Sequence, residues 1–296
     1  MSYRPRRVAR AATLELRGIA HRILRFGPRD ARPCVFLHGW ADTAATFQFL
    51  IDAFEDDHPI VALDWRGFGE SAWLGTPYWF PDYYADLEAL LGEVHPDGPA
   101  TLLGHSMGGN IAALYAGIRP ERVRAVINLE GFGLRRTAAE AAPKRLRRWL
   151  DELRTPPAFS RFRTLEDFAA VLRRKNPRLT AERAAFVALN WSRPEPDGGY
   201  SVNFDPYHRL VNPALYRREE AEACWRGCVA PMLMVFGGLS EFRAQLGGDA
   251  SEETFRALFR DIRFATLPDS GHMMHHDEPE ALARIVEPWL RSPPAP

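Results

Sequence analysis

The sequence alternates short apolar runs with amphipathic stretches of helical length, and this rhythm constrains the fold more than any other feature. Near-continuous apolar strands joined by amphipathic crossovers are typical of a mostly parallel sheet covered by helices on both faces. An earlier segment, Leu14 to Phe26, alternates as a pair of hairpin strands would. The sequence therefore predicts an α/β fold. The apolar runs are 34–37, 60–63, 101–103 and 125–129, with the helical segments 44–54, 82–94 and 107–118 between them.

The interval from Gly131 to Gly227 breaks this rhythm. It contains eight prolines and short amphipathic helical pieces, without a strong strand signal, and the strand–helix alternation resumes over residues 232–290. Ligands of open α/β sheets bind beyond the carboxyl ends of the strands, so a helical insertion is expected to cover that end. We predict a core domain of residues 1–130 and 228–296 and a helical cap, or lid, of residues 131–227.

Composition excludes several classes of protein. With 46% hydrophobic residues and 38 basic against 38 acidic side chains, the chain is neutral and can bury a core. No apolar run approaches the roughly 18 residues that span a bilayer, and the basic N-terminus lacks the apolar segment of a secretory signal. Three cysteines, Cys34, Cys224 and Cys228, are typical of reduced thiols rather than of a disulfide framework. We expect a cytoplasmic protein without a membrane partner.

One segment is strongly basic despite the neutral total. Residues 134–184 carry 14 Lys and Arg against 6 Asp and Glu. Such an excess fits either a surface for anions, nucleic acid or lipid, or a solvated helical face. No nucleic-acid-binding motif accompanies it, so we favour the solvated face and expect no nucleic-acid partner.

The strongest chemical signal is the pentapeptide Gly104-His105-Ser106-Met107-Gly108. It lies between an apolar run and a helical segment, which is the strand–turn–helix context that a G-x-S-x-G nucleophile elbow requires. Small residues allow the sharp turn, and the helix N-terminus behind it favours developing negative charge. We predict that Ser106 is a nucleophile at the end of the fifth strand.

A serine hydroxyl needs a base to remove its proton, and His272 is the candidate. It follows the run 262–267 and a turn, and it precedes the last helical segment. Because His275, His276 and Asp277 follow closely, a metal site is an alternative. Zinc sites often use helical i, i+4 spacing, and no cysteine or acidic partner lies at such spacing here, so we predict no metal. His275 and His276 are then expected to cap or pack beside the site.

The acid that would orient His272 is ambiguous in the sequence. After the run 232–236, where an aspartate is common, the chain has Ser240 followed by Glu241. Glu130 ends the preceding strand, and a carboxylate at the tip of an apolar strand requires a buried partner. We favour Glu130 and keep Glu241 as the alternative acid.

Donors for an oxyanion are predicted at two backbone amides. One is the N–H of Met107, and the other is that of Trp40, which follows the apolar run 34–37 and the flexible Gly39. His38 is expected to be a structural hydrogen-bonding group. We interpret the glycine-bearing segment 64–71 as a loop that shapes the site.

The chain resembles α/β-hydrolase-fold serine hydrolases over nearly its whole length. The resemblance rests on His38-Gly-Trp40, on residues 64–69, on Gly104–Gly109 and on Ser270-Gly-His272, which occur in the family's order. The sequence around residues 130–133 and 272–276 is similar to that of the serine hydrolase-like proteins. The resemblance implies a mostly parallel eight-stranded sheet flanked by helices, with the cap inserted after strand 6. A serine at the elbow argues against the aspartate-based chemistry of haloalkane dehalogenases and epoxide hydrolases.

We therefore predict a cofactor-free hydrolase that cleaves a small or medium carboxylic ester by acyl transfer, as a monomer or homodimer. Hydrolysis of a carbon–carbon bond, lactone opening and perhydrolysis use the same serine and remain alternatives. A non-catalytic ligand-binding relative is the third hypothesis, because the usual acid position holds Ser240.

Overall fold

The computed structural model describes residues 3–155 and 157–294, and a mixed eight-stranded sheet forms its centre. The strand order is β1-β2-β4-β3-β5-β6-β10-β11, antiparallel from β1 to β4 and parallel from β4 to β11. This confirms the predicted mostly parallel sheet. Its strands are β1 (Arg10–Leu16), β2 (Ile19–Phe26), β3 (Cys34–Leu37), β4 (Ile60–Leu63), β5 (Ala100–His105), β6 (Val123–Leu129), β10 (Met232–Gly237) and β11 (Ile262–Leu267).

Helices cover both faces of this sheet, and the pleat divides the core in two. Val35 and Leu37 of β3 pack in one hydrophobic cluster with α2, α3 and α9, and Phe36 packs in the other with α1, α10 and α11. Among the residues that the structure describes, no helix has both the length and the apolar surface that crossing a bilayer requires. The helices are α1 (Gln48–Ala53), α2 (Pro81–Val94), α3 (Met107–Ile118), α4 (Ala142–Arg154), α5 (Leu165–Lys175), α6 (Ala181–Asn190), α7 (Arg218–Arg226), α8 (Glu241–Leu246), α9 (Glu252–Leu258), α10 (Met274–Asp277) and α11 (Pro279–Arg291).

The segment between β6 and β10 differs in one respect from the prediction of a purely helical cap. Besides α4 to α6 it contains a small antiparallel sheet in the order β7-β9-β8, formed by Arg161–Phe162, Tyr200–Val202 and Ser192–Pro194. These strands have only two or three residues, too few for an alternating pattern to be recognised in the sequence. Phe168 and Val187 of α5 and α6 form a separate small core with Phe49 of α1.

The last helix of this segment, α7, packs against the central layers. A Cβ placed on Gly117 of α3 would lie 1.7 Å from the carbonyl oxygen of Cys224, so the two helices touch backbone to backbone. By packing, α7 therefore belongs with the helices of the sheet. The division into a core and a cap of residues 131–227 stays a prediction.

Candidate active site

Ser106 sits in the sharp turn between β5 and α3 with φ 51° and ψ −111°, a backbone conformation that non-glycine residues rarely adopt. The turn depends on the absence of side chains around it. A Cβ on Gly104 would lie 2.3 Å from the carbonyl oxygen of Gly108, and one on Gly108 would lie 2.0 Å from that of Leu37. The small residues of the pentapeptide thus let the helix approach β3 and β5, and Ser106 stands at the end of the fifth strand.

Three side chains from distant parts of the chain form a continuous hydrogen-bonded chain at this turn. Ser106 Oγ lies 3.0 Å from His272 Nε2, and His272 Nδ1 lies 2.7 Å from Glu130 Oε2. Because a carboxylate only accepts hydrogen bonds, Nδ1 donates to Glu130, which leaves Nε2 to accept from the serine hydroxyl. The imidazole is therefore oriented to take the proton of Ser106.

Glu130 is fully buried, and each of its carboxylate oxygens accepts a hydrogen bond from the last residue of β10 or from the segment that follows it. Oε1 accepts from the backbone N–H of Gly237 at 2.7 Å, and Oε2 accepts from Ser240 Oγ at 2.5 Å in addition to His272. The residue has φ 58°, so the chain turns sharply where β6 ends. These donors supply what a buried carboxylate needs in place of water.

The structure separates the two candidate acids. Glu241 is the first residue of α8 and is exposed, and no hydrogen bond joins it to His272 within the described residues. Ser240 is the N-cap of α8, where its Oγ accepts from the N–H of Arg243 at 3.3 Å while donating to Glu130. From the sequence, Ser240 is only a departure from the usual pattern, because its contact with Glu130 leaves no local signal.

The two predicted oxyanion donors belong to segments that adjoin Ser106. Met107 is the first residue of α3 and directly follows the serine. Gly39 packs on the turn, since a Cβ there would lie 3.3 Å from Ser106 Cβ, and Trp40 comes next in the chain. The indole of Trp40 is 51% exposed and lies 5.4 Å, centroid to centroid, from the ring of Phe204.

Two further histidines, His105 and His38, form hydrogen bonds with the backbone around the active-site turn. His105 Nε2 donates to the backbone carbonyl of His272 at 2.9 Å, and burial lowers the pKa of His105 well below its ordinary value, so a neutral ring holds the backbone of His272. His38, predicted to be a structural hydrogen-bonding group, is buried and is hydrogen-bonded at both ring nitrogens. Its Nδ1 lies 2.7 Å from the carbonyl oxygen of Gly39, and its Nε2 accepts from the N–H of Trp65 at 3.0 Å.

The loop that begins at Asp64 is held by that residue's buried carboxylate. Asp64 Oδ1 accepts from the N–H of Ala44 at 2.7 Å, and Oδ2 accepts from that of Glu70 at 3.2 Å. The loop is therefore hydrogen-bonded to the segment that follows Trp40, as expected of a loop that shapes the site.

His275 and His276 do not join His272 in one cluster. His275 Nε2 lies 3.3 Å from Oδ2 of Asp42, a residue of the loop after β3 that no local pattern in the sequence connects with them. Asp277, considered above as a neighbour of these histidines, instead accepts from the guanidinium of Arg178 at 2.9 Å. His272 and His275 thus belong to two separate hydrogen-bonded groups.

A family model described as the alpha/beta hydrolase fold matches residues 32–279. The chain belongs to the α/β-hydrolase family. Among its relatives, this α/β-hydrolase is 27% identical to the serine hydrolase-like protein of Danio rerio over 274 residues, which cover 90% of the chain and 83% of the relative. It is 25% identical to the 2-(acetamidomethylene)succinate hydrolase of Mesorhizobium japonicum, with 86% and 87% coverage.

Solved structures agree with this fold. The thioesterase domain from the curacin biosynthetic pathway superposes on the α/β-hydrolase chain with a TM-score of 0.84, covering 95% of this chain and 99% of that domain at 24% identity. At that identity the likeness concerns the fold alone. Together, the family and the names of its relatives support hydrolase activity.

Proposed function

We propose that the protein is a serine hydrolase that cleaves a small or medium carboxylic ester through Ser106, His272 and Glu130. The observation that carries the proposal is the uninterrupted hydrogen-bonded chain from Ser106 Oγ through His272 to a buried carboxylate. This is the arrangement that activates a serine hydroxyl in acyl transfer.

In the proposed reaction, Ser106 Oγ attacks the ester carbonyl while His272 Nε2 takes its proton. Glu130 holds the ring in the correct tautomer and stabilises the imidazolium that forms. The negative charge on the carbonyl oxygen is stabilised by the backbone N–H groups of Trp40 and Met107. His272 then protonates the departing alkoxide, which leaves an acyl group on Ser106.

Deacylation repeats the sequence with water as the nucleophile. Water loses a proton to His272 Nε2 and adds to the acyl carbonyl, and His272 returns the proton to Ser106 Oγ as the carboxylic acid leaves. No redox change is involved, and the proposed reaction requires no cofactor.

Aromatic side chains around Trp40, one of the proposed oxyanion donors, support an apolar acyl group. The ring of Trp40 neighbours that of Phe204, and Phe159 contacts Phe204 edge-on at 4.6 Å between centroids. Such rings bind an apolar chain without selecting its polar groups. Carbon–carbon bond, lactone and thioester substrates would use the same serine. Thioesters are included because the curacin domain is named a thioesterase. All of these substrates belong in the same panel as the esters.

The test combines covalent labelling with hydrolysis of short-chain and aryl esters. We expect a fluorophosphonate probe to label the wild-type protein, and we expect ester hydrolysis to disappear together with labelling in Ser106→Ala. Ser160→Ala is the matched control, because Ser160 lies in an exposed loop and should behave as wild type. Equal labelling of wild type and Ser106→Ala would reject the proposal. A folded wild-type protein that hydrolyses nothing in the panel but binds a ligand would favour the non-catalytic hypothesis.

A further inference from the structure

Three side chains of types that bind metals lie close together near the candidate active site. They belong to Asp42, His275 and His276. One carboxylate oxygen of Asp42 and one ring nitrogen of each histidine all lie within 4.8 Å of one another. All three residues are at most 2% exposed. Two histidines and one carboxylate form a ligand set that suits zinc and related divalent transition metals.

The hydrogen bonds of Asp42 divide between its two oxygens in a way that leaves one oxygen for a ligand. Oδ1 accepts from the N–H of Thr43 at 2.7 Å, from Thr46 Oγ1 at 2.6 Å and from Trp191 Nε1 at 2.8 Å. Among the described residues, Oδ2 is directed to His275 alone, and their N···O distance of 3.3 Å is long for a hydrogen bond between these groups. Three donors therefore fix the carboxylate, as outer-shell partners fix a metal ligand.

One ring nitrogen of His275 and one of His276 lack a hydrogen-bond partner among the described residues. Within residues 3–155 and 157–294, neither Nε2 of His276 nor Nδ1 of His275 has a hydrogen-bond partner, although both atoms are buried. Buried polar atoms are normally paired, so the unpaired Nε2 of His276 calls for an unseen partner. A bare His275 Nδ1 is able to hold the proton that Nε2 gives up when Nε2 binds a metal.

From these contacts we propose that Asp42, His275 and His276 bind one divalent ion of the zinc class. In a tetrahedral site with bonds of about 2.0–2.1 Å, two ligand atoms stand about 3.3 Å apart, which matches the separation of His275 Nε2 and Asp42 Oδ2. Three protein ligands leave a fourth position for water. The sequence predicts no metal because no cysteine or acidic partner lies at helical spacing from these histidines, whereas Asp42 lies 233 residues before His275.

A second group of possible ligands lacks these features. Asp56, His58 and Glu287 also come within 4.8 Å of one another. Glu287, however, already accepts from the backbone N–H groups of residues 55 and 56 and from His58 Nε2, and Arg291 binds Asp56. Its acceptors are occupied, so this group serves as an internal control.

The proposed ion would join three parts of the fold. Asp42 belongs to the loop after β3, the histidines belong to α10 close behind His272, and Trp191 attaches the end of α6 to Asp42. Metal binding should therefore stabilise the folded protein, because the site exists only in that state. Binding does not involve Ser106 and is independent of the proposed hydrolase reaction.

The experiment uses the full-length protein, stripped with a chelator and titrated with Co²⁺ as a spectroscopic probe and with Zn²⁺ by calorimetry. We expect one equivalent of metal to bind, with the visible absorption of a tetrahedral Co²⁺ site and an increase in Tm of several degrees. His276→Gln and Asp42→Asn should lose the stoichiometric binding and the absorption band. His58→Gln and Ser106→Ala should retain both.

Two outcomes would overturn the proposal. One is wild-type protein that binds no stoichiometric Co²⁺ or Zn²⁺ at 10–100 μM concentrations, and the other is full binding by His276→Gln. Asp42→Asn removes the charge from a buried carboxylate and is the variant most prone to misfold. The milder His276→Gln, with folding checked by circular dichroism, carries the test in that case.

Discussion

Ser240 Oγ donates a 2.5 Å hydrogen bond to the same oxygen of Glu130 that accepts from His272. Ser240 follows β10 at the position where an aspartate is common. The proposed acid and the residue at the position where an aspartate is common are thus hydrogen-bonded to each other. The carboxylate directly follows β6, the neighbouring strand, and the last residue of β10 together with the segment after it supplies the donors that hold it.

The first prediction compares the two candidate acids. Glu130→Gln should lower kcat for ester hydrolysis by about 10³-fold or more, because the amide no longer fixes the tautomer of His272 or balances the imidazolium. Glu241→Gln should leave kcat unchanged, since that side chain is exposed on α8. Steady-state kinetics on one aryl ester checks both variants. A large loss in Glu241→Gln with none in Glu130→Gln would reverse the assignment.

The second prediction concerns Ser240 as a positioning residue. Ser240→Ala removes one charge-assisted hydrogen bond from a buried carboxylate and should lower kcat by about tenfold with little change in KM, since about 1.4 kcal/mol corresponds to a factor of ten. Ser240→Thr keeps the hydroxyl and should restore most of the activity. An unchanged kcat in the alanine variant, with folding intact, would contradict this function.

The contact also predicts that the acid can be moved. In the double variant Glu130→Gln/Ser240→Asp, the new carboxylate stands next to the position of Glu130 Oε2, within reach of His272. It should regain at least about tenfold in kcat over Glu130→Gln alone. Activity no higher than that of the single variant would show that residue 240 cannot address the imidazole.

The third prediction concerns the folding of the serine turn. Gly108→Ala would place a methyl group 2.0 Å from the carbonyl oxygen of Leu37, and the backbone on either side cannot move without disturbing β3. We expect a loss of about 3 kcal/mol or more in the free energy of unfolding, measured by denaturant titration. Gly92→Ala in α2 is the control, because nothing lies within 4 Å of its Cβ, and it should stabilise the helix by about 0.5–1 kcal/mol.

The fourth prediction is a pH dependence from His208. Its ring is stacked between Phe68 and Tyr78, and its Nε2 donates to the carbonyl oxygen of Arg66 at 3.1 Å. Burial lowers the pKa of His208 from 6.5 to about 3. The unfolded chain therefore binds a proton that the folded protein excludes, and stability falls as the pH decreases from about 6.5 towards about 3.

At pH 5 this group alone should cost about 2 kcal/mol relative to pH 7, at about 1.4 kcal/mol per pH unit. His208→Gln should flatten the dependence by that amount, measured as the free energy of unfolding at the two pH values. Parallel curves for the wild type and the variant would show that His208 does not titrate in this window.

The sheet and the serine turn could be predicted because both leave local marks in the sequence. Residues of a strand buried on both faces are apolar in succession, as in Ile60–Leu63, and the turn at Ser106 needs glycines at fixed offsets. The family and the mostly parallel sheet are confirmed on that basis.

The remaining features depend on contacts that leave no local pattern. Glu130 and Ser240 meet because β6 and β10 are adjacent in the sheet, a pairing that the sequence does not encode locally. Asp42 reaches His275 across 233 residues. The strands β7, β8 and β9 are too short to show an alternation. In each case tertiary pairing decided what the local pattern left open.

The bond from Trp191 to Asp42 bears on how a substrate would enter. If the end of α6 swung outward, a carboxylate shielded from water would lose one of its donors, which is a costly change. On the other flank, Phe159 contacts the ring of Phe204, and the hydrogen bond from Arg209 to the carbonyl oxygen of Ala158 beside it is exposed, so water can replace that bond when this flank moves. We therefore expect substrate to reach Ser106 on the side of Phe159, while the end of α6 stays in place.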